Sequence, residues 1–169
     1  MDKQAVDKRP HGGEPTAAMP VALREVFFCI SRAFYAYVAC LEELLVKSDL
    51  AEHVRPGMGH VIFALFDQND VIIKNLVQRT ELSPSALTRV LGDMERRGLI
   101  TRHRDKSDGR ATRVRLTRHA RSLETRCNQT LTEVHRIICG DMREREIKTV
   151  VRGLTQMIRN LRGREGPSP

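Results

Sequence analysis

The sequence lacks several features that would assign it to a common class of protein. No run of 18 uninterrupted apolar residues occurs in the 169-residue chain, which argues against a membrane span. The first twenty residues lack the apolar core of a signal peptide, so we expect a cytoplasmic protein with no membrane partner. The cysteines show no C-x-x-C spacing, which excludes the usual zinc-ribbon and thioredoxin signatures and predicts reduced thiols at Cys29, Cys40, Cys127 and Cys139.

Signatures of catalysis and metal binding are missing as well. The sequence has no glycine-rich phosphate loop, no nucleophile elbow and no paired carboxylates at a plausible site, so we expect no enzyme activity and no cofactor. Six histidines are present, but nothing groups them at the spacing of metal ligands. His53 and His60 flank a break at residues 55–57, and the others are scattered. The sequence therefore predicts no metal site.

The positive charge of the chain is concentrated in one segment. The net charge is +8, and arginine supplies 23 of the 29 basic residues. Between Arg79 and Arg126 there are 13 basic and 6 acidic residues, whereas the rest of the chain has 16 and 15. A basic stripe rich in arginine is typical of phosphate binding, because guanidinium groups pair bidentately with phosphate. The alternative is a solvated surface, but this localisation favours a nucleic-acid partner.

Helical periodicity covers most of the chain outside its ends. Apolar residues recur at helical spacing from Val21 to about Lys47, and two shorter helices follow between residues 61 and 79. Thr117 is expected to cap one long helix that ends before Gly140. A last helix has the heptad spacing that is typical of a seam for a partner helix, with Ile147, Leu154 and Leu161 along it.

The strongest local signals surround a helix that begins after Ser83. Ser83 is a preferred N-cap residue, proline suits the first helical position at Pro84, and Gly98 is a typical C-terminal stop. The inward face is apolar, whereas the outer face is small, polar and basic, with Ser85, Thr88, Arg89, Gly92 and Arg96. Such a face can enter a groove of DNA without steric conflict. Glycine is unfavourable within a helix, so Gly92 needs an explanation. Either it allows a close approach of the helix to the phosphate backbone, or it is an incidental substitution.

Two strands are predicted after this helix, at residues 99–104 and 111–116, and the Asp-Gly turn between them indicates a hairpin with a basic tip. A short helix, a tight turn and a capped helix form a helix-turn-helix, whose second helix docks in the major groove. The hairpin adds a wing, and Arg110 at its tip can reach an adjacent minor groove. Asp108 either pairs with Arg110 and fixes its rotamer or only stabilises the turn.

The predicted fold class is mainly α with a small β-hairpin wing, a winged helix-turn-helix with long N- and C-terminal dimerisation helices. We expect a flexible N-terminal arm at 1–20, a dimerisation helix and linker at 21–55, and a DNA-binding domain at 56–117. C-terminal dimerisation helices at 118–162 and a flexible tail at 163–169 complete the predicted organisation.

The residues from 82 to 117, LSPSALTRVLGDMERRGLITRHRDKSDGRATRVRLT, resemble the MarR-type winged helix-turn-helix transcriptional regulators. The recognition helix and wing of that family contain similar motifs in the same order and spacing: S-x-S-x-L-T-R, M-E-R-R-G-L-I, D-x-x-D-x-R-A and V-x-L-T. The resemblance implies a homodimer that binds a pseudo-palindromic double-stranded operator and usually represses transcription. It also implies the residues that face DNA: Ser83, Pro84, Ser85, Ala86, Thr88 and Arg89, with Arg110 as the wing-tip contact and Asp108 as the residue that orients it.

Departures from the family pattern qualify this interpretation. Pro84 and Ala86 stand where relatives often have a side chain that hydrogen-bonds DNA, so specificity is expected to depend partly on DNA shape. The resemblance implies a small aromatic or lipophilic effector, or an oxidant sensed by a cysteine in the first helix, where Cys29 lies. A buried cysteine on an apolar helix is more often inert packing.

We therefore interpret the chain as a sequence-specific DNA-binding regulator, a homodimeric repressor released from its operator by a small ligand or an oxidant. The alternative is a winged-helix module that binds acidic protein partners through its heptad seam and basic face. The Asp108/Arg110 pair and the basic wing argue against that alternative. An enzyme ranks third.

Overall fold

The computed structural model describes residues 21–163, and over these residues the chain forms seven helices and one three-stranded antiparallel sheet. The predicted arm at 1–20 and residues 164–169 of the predicted tail lie outside the described residues. The predicted fold class is confirmed. The elements are α1 (Val21–Lys47), α2 (Gly59–Asp67), β1 (Val71–Ile72), α3 (Ile73–Thr80), α4 (Pro84–Arg96), β2 (Ile100–Arg104), β3 (Thr112–Leu116), α5 (Arg118–Ser122), α6 (Glu124–Cys139) and α7 (Glu144–Arg162).

The described chain falls into two units, residues 21–36 and residues 37–163, with the division inside α1. The first unit is a helical segment with large apolar side chains exposed to solvent, among them Phe27 and Tyr35 at 64% and 71%. The second unit contains the core and every element after α1. None of the helices in residues 21–163 combines the length and apolarity that crossing a bilayer requires.

The core of the second unit lies between the helix-turn-helix and the sheet. Its side chains come from α2, α3, α4 and the strands, each of which buries one face. The end of α1, the segment before α2 and the region of α5 and α6 add further side chains to the same cluster. The most deeply buried are no more than 1% exposed and include Ile62, Leu65, Leu76, Leu87, Leu91 and Val114.

The sheet contains one strand more than the predicted hairpin. β3 lies in the centre and pairs with β2 from Ile100↔Leu116 to Arg104↔Thr112, which confirms the hairpin. On its other edge β3 pairs with β1, where Val71 faces Val114. Two residues are too few to produce an alternating pattern, so no sequence signal predicted β1. The extra strand attaches the wing to the loop before α3.

The long helix expected after Thr117 is interrupted. The Thr117 side chain accepts a hydrogen bond from the Ala120 N–H at 3.1 Å, which confirms the predicted N-cap. The first segment ends at Leu123, whose N–H bonds to the Ala120 carbonyl three residues back at 3.2 Å. Leu123 is only 1% exposed, so this tighter turn delivers its side chain into the core. The prediction of one continuous helix was therefore wrong at this residue.

The last helix is long and has no buried residue. Its final turn lies beside the turn between α3 and α4, where Arg162 Nη1 donates to Glu81 Oε2 at 2.7 Å and Nη2 donates to the Glu81 carbonyl at 3.1 Å. Glu81 has φ 55°, a left-handed conformation that ends α3. The two helices are thus linked by an exposed ion pair.

Candidate nucleic-acid interface

The helix α4 begins as the sequence predicts. Ser83 has extended backbone geometry, and its hydroxyl accepts a hydrogen bond from the Ala86 N–H at 3.3 Å. Pro84 occupies the first helical position. After the helix, Gly98 has φ +67°, a left-handed conformation that favours glycine. These local signals set where the helix begins and ends.

The two faces of α4 separate apolar from polar side chains. Leu87, Leu91 and Met94 are buried in the core and hold the helix in place. The residues that the sequence predicts to face DNA lie together over its first two turns. Ser83, Pro84, Ser85, Thr88 and Arg89 are exposed, and Ala86 is half-buried.

The hydroxyl groups at the start of α4 already have partners. The Ser83 and Ser85 hydroxyls lie 3.2 Å apart, and the Thr88 hydroxyl donates to the Pro84 carbonyl at 2.8 Å. In this conformation the Thr88 oxygen can still accept a hydrogen bond, whereas its proton is engaged. Arg89 is therefore the strongest donor on the exposed face.

The wing tip differs from the predicted arrangement in one contact. Asp108 Oδ1 accepts a hydrogen bond from the backbone N–H of Arg110 at 3.0 Å, and among residues 21–163 no ion pair joins the Asp108 carboxylate to the Arg110 guanidinium. Of the two alternatives for Asp108, the structure shows the turn-stabilising one, and the orientation of Arg110 by Asp108 on DNA stays a prediction. An aspartate commonly bonds to the backbone two residues on, and that local bond sets the turn instead. The guanidinium of Arg110 is exposed.

Two residues that the sequence did not single out organise the wing. Arg113 donates from Nη1 to Asp105 Oδ2 at 2.6 Å and from Nε to Asp70 Oδ1 at 2.8 Å, and Nη2 also contacts the Asp70 carbonyl. Asp105 Oδ1 accepts from the N–H groups of Ser107 and Asp108 at 2.8 and 2.9 Å. Arg113 thus joins the hairpin to the loop before β1. The only sign of this role in the sequence was that Arg113 occupies one of the alternating positions of the predicted strand.

The carboxylates of this cluster are strongly stabilised in their charged form. The pKa of Asp105 lies well below its ordinary value, first because of the Ser107 hydroxyl and then because of the Arg113 guanidinium and the two N–H groups. The pKa of Asp70 is lowered chiefly by its hydrogen bond from Arg113. The base of the wing therefore remains ionised well below neutral pH.

Twelve of the 13 basic residues of the segment from Arg79 to Arg126 fall into two groups, and the thirteenth, Arg126, is half-buried and donates to the Ser48 carbonyl at 3.5 Å. Six form ion pairs: Arg79, Arg96, Arg97, Arg102, Arg113 and Arg121. Another six are exposed and have no ion-pair partner among residues 21–163: Arg89 on α4, Arg104 and Arg115 on the strands, Lys106 and Arg110 at the wing tip, and Arg118 at the start of α5. This second group, the unpaired cations, is available for phosphate.

Gly92 lies on α4 beside the side chains of Arg96 and Arg102. A Cβ atom built there would lie 3.6 Å from Arg96 Nη1 and 4.0 Å from Arg102 Nη2, which is ordinary contact with the ends of flexible side chains. The protein itself therefore does not require glycine at this position.

The cysteines have different environments. Cys29 is exposed within residues 21–36, and Cys127 is buried in the core. Burial raises the pKa of the Cys127 thiol to about 11, so its reactive thiolate is scarce at neutral pH. Cys127 is thus inert packing, and a redox role of Cys29 stays a prediction.

A short helix, a turn, a capped helix and a β-wing define a winged helix-turn-helix protein. Residues 56–112, which lie inside the predicted 56–117 domain, match the model of the MarR family. Over this domain the chain is similar to the MarR family.

One curated relative is the uncharacterized HTH-type transcriptional regulator YwhA of Bacillus subtilis (strain 168), 29% identical over 77 residues. The match covers 46% of this chain and spans only 55% of YwhA. BpsR of Bordetella bronchiseptica, whose DNA binding is regulated by 6-hydroxynicotinic acid, is 22% identical with a TM-score of 0.64, over 79% of this chain and 98% of BpsR. Reduced AbfR bound to DNA is 20% identical with a TM-score of 0.65, over 83% and 93% of the two chains. These structures share the fold.

Proposed function

We propose that this protein is a sequence-specific regulator of transcription that binds double-stranded DNA. The observation that carries this proposal is the exposed start of α4 beside the unpaired cations of the wing, on one winged helix-turn-helix. Phosphate neutralisation by such cations supplies affinity, and side chains on the helix supply base contacts. The regulator YwhA and the DNA-bound structure of AbfR support the same interpretation.

In the proposed complex α4 enters the major groove with its first turns. Arg89 projects from this face and can donate two parallel hydrogen bonds to guanine or bind a phosphate. Arg110 at the wing tip reaches the adjacent minor groove, where narrow A·T-rich stretches attract arginine. Since Pro84 offers no hydrogen-bond donor, base contacts are few and DNA shape contributes to sequence choice.

We propose that two copies pair through their long helices. In α7 Val150, Leu154 and Leu161 are 48%, 43% and 70% exposed, which is unusual for a row of apolar side chains at heptad spacing. In the proposed dimer, α7 of the second copy presents the same apolar row and packs against this one. The paired recognition helices must then lie about 34 Å apart to meet successive major grooves on one face of the duplex.

This geometry suggests how binding is controlled. A small ligand or an oxidant that changes the spacing of the long helices would lower the affinity for DNA, because both recognition helices must fit at once. The regulation of BpsR by 6-hydroxynicotinic acid supports a small aromatic acid as the effector class. We propose that the protein acts as a repressor that such an effector releases.

The proposal is tested by selecting genomic DNA fragments with the purified protein and measuring affinity across a salt series. We expect a palindromic fragment that binds at least about a thousandfold more tightly than random DNA at physiological salt. Equal binding to all fragments with a steep salt dependence, or no binding, would contradict the proposal. That outcome would favour the alternative of a protein-interaction module.

Two arginine variants are expected to weaken operator binding in different ways. Arg110→Ala should lower affinity and reduce the slope of log K against log salt by about one, because a wing-tip contact is lost. Arg89→Ala should cost about 1–3 kcal/mol of binding free energy and broaden sequence choice. The measurement is fluorescence anisotropy on the selected operator and on mismatched operators.

The matched control for both variants is Arg136→Ala, which removes an exposed arginine on α6 that pairs with Glu133. Its operator affinity and salt slope should equal those of the parent. Parental binding by Arg110→Ala and Arg89→Ala together would rule out the proposed docking.

A further inference from the structure

The fold brings together two histidines that are 66 residues apart in the sequence. His53 lies in the segment between α1 and α2, and His119 lies on α5. The distance from His119 Nε2 to His53 Nδ1 is 3.3 Å, and the ring planes cross at 73° with their centroids 4.6 Å apart. Two ring nitrogens therefore face each other at the surface of the second unit.

The backbones that carry this histidine pair are fixed. The His53 N–H donates to the Leu50 carbonyl at 2.9 Å, and Leu50 is fully buried. His119 lies in the helix capped by Thr117, beside the buried Ala120. Both rings thus project from anchored positions.

The separation of the two nitrogens is compatible with a direct hydrogen bond and with a shared metal ion. At 3.3 Å one ring can donate a hydrogen bond to the other if a proton lies on one of the two facing nitrogens. Two imidazole nitrogens on one tetrahedral zinc ion, each about 2.0–2.1 Å from the metal, lie roughly 3.3–3.4 Å apart. The observed distance therefore also matches the separation that a shared zinc ion requires, without movement of either backbone.

The surroundings of the pair supply no third protein ligand among the described residues. His53 lines an open cleft of about 500 Å³ together with Asp49, Glu52 and Arg126. Within residues 21–163 no three side chains of the His, Cys, Asp or Glu type are grouped to hold a metal. A metal at the histidine pair would therefore keep water or an exogenous ligand at its remaining positions.

We propose that His53 Nδ1 and His119 Nε2 form an open two-histidine site for a divalent transition metal of the zinc or nickel class. Neutral imidazole is a suitable ligand for these ions. The arrangement requires the ring protons to lie on His53 Nε2 and His119 Nδ1, and one nitrogen lone pair from each ring binds the metal.

A metal ion bound by both histidines would link the segment before α2 to α5. The neighbouring Glu52 carbonyl accepts a hydrogen bond from Arg97 Nη1 at 2.7 Å, and Arg97 follows the last residue of α4. The site thus lies one residue from a contact to the C-terminal end of α4. The metal site itself does not depend on the proposed binding of DNA.

The test is a calorimetric titration of the full chain with zinc chloride and, separately, with nickel chloride. We expect one ion per chain, with the affinity reduced at least about tenfold in His53→Ala and in His119→Ala. The double variant should bind no more weakly than the single variants, because each single change already destroys the two-ligand arrangement. His60→Ala, which removes an exposed histidine outside the pair, should bind as the parent does.

A second measurement identifies the nitrogen atoms directly. In ¹⁵N spectra of the imidazole groups, zinc should shift Nδ1 of His53 and Nε2 of His119, and circular dichroism should show that each variant remains folded. Unchanged resonances for these two atoms at saturating zinc, or parental affinity in both single variants, would overturn the proposal. Either result would leave the pair as a contact between two rings only.

Discussion

Replacing Leu154 by aspartate is expected to convert the proposed dimer to a monomer and to weaken the proposed operator binding at least about a hundredfold. Leu154 lies at the middle of the exposed heptad row on α7, and burying a carboxylate against a second copy would be costly. Linking two DNA-binding units raises the overall affinity by about 10²–10⁴, and a monomer loses this gain. Light scattering gives the mass, and anisotropy gives the affinity.

The matched control is Thr155→Asp, which places the same charge one residue further along the helix and off the heptad positions. The Thr155 side chain is exposed, and its hydroxyl donates to the Val151 carbonyl. This variant should remain a dimer with parental affinity. A dimeric Leu154→Asp protein would show that the seam is used for something other than pairing two copies.

Replacing Arg113 by alanine is expected to detach the wing from the rest of the domain. The change removes the ion pairs to Asp70 and Asp105 and leaves the Asp105 side chain, which is only 5% exposed, without its cation. We expect the melting temperature to fall by at least about 3 °C and operator affinity to fall roughly tenfold, since a loose wing must be ordered on binding. Hydrogen exchange should report lost protection in β2 and β3.

Two further variants separate the geometry of this contact from its charge. Arg113→Lys keeps the charge but not the planar fork that reaches both aspartates, so its melting temperature should lie between those of the parent and the alanine variant. Arg136→Ala removes an exposed ion pair on α6 and should change little. If the wing of Arg113→Ala keeps its protection against exchange, the β1 pairing alone is sufficient to hold it.

The features that the sequence predicted correctly are those set by neighbouring residues. Ser83, Pro84 and Gly98 act within one turn of the ends of α4, so their effect can be read without a fold. The turn and strands of the hairpin are local in the same sense. The residues named as facing DNA came from the resemblance to the MarR family, and their contact with DNA stays a prediction.

The features that escaped prediction depend on contacts between distant parts of the chain. Arg113 meets Asp70 across 43 residues, and β1 exists only because β3 lies beside it. Asp108 could bond either to the backbone N–H of Arg110 or to its guanidinium, and the sequence does not decide between them. The structure shows the bond to the backbone N–H. The histidine pair could not be predicted, because residue spacing gives no distance between a loop and a helix that pack together.

The contact between Arg162 and Glu81 has a practical consequence for spectroscopy. It places the last turn of α7 next to the turn that precedes α4. A fluorophore attached just after residue 162 would therefore be close to the proposed DNA surface, where quenching by a bound duplex could be observed directly. The same proximity makes this end of the helix a poor place for a bulky fusion partner.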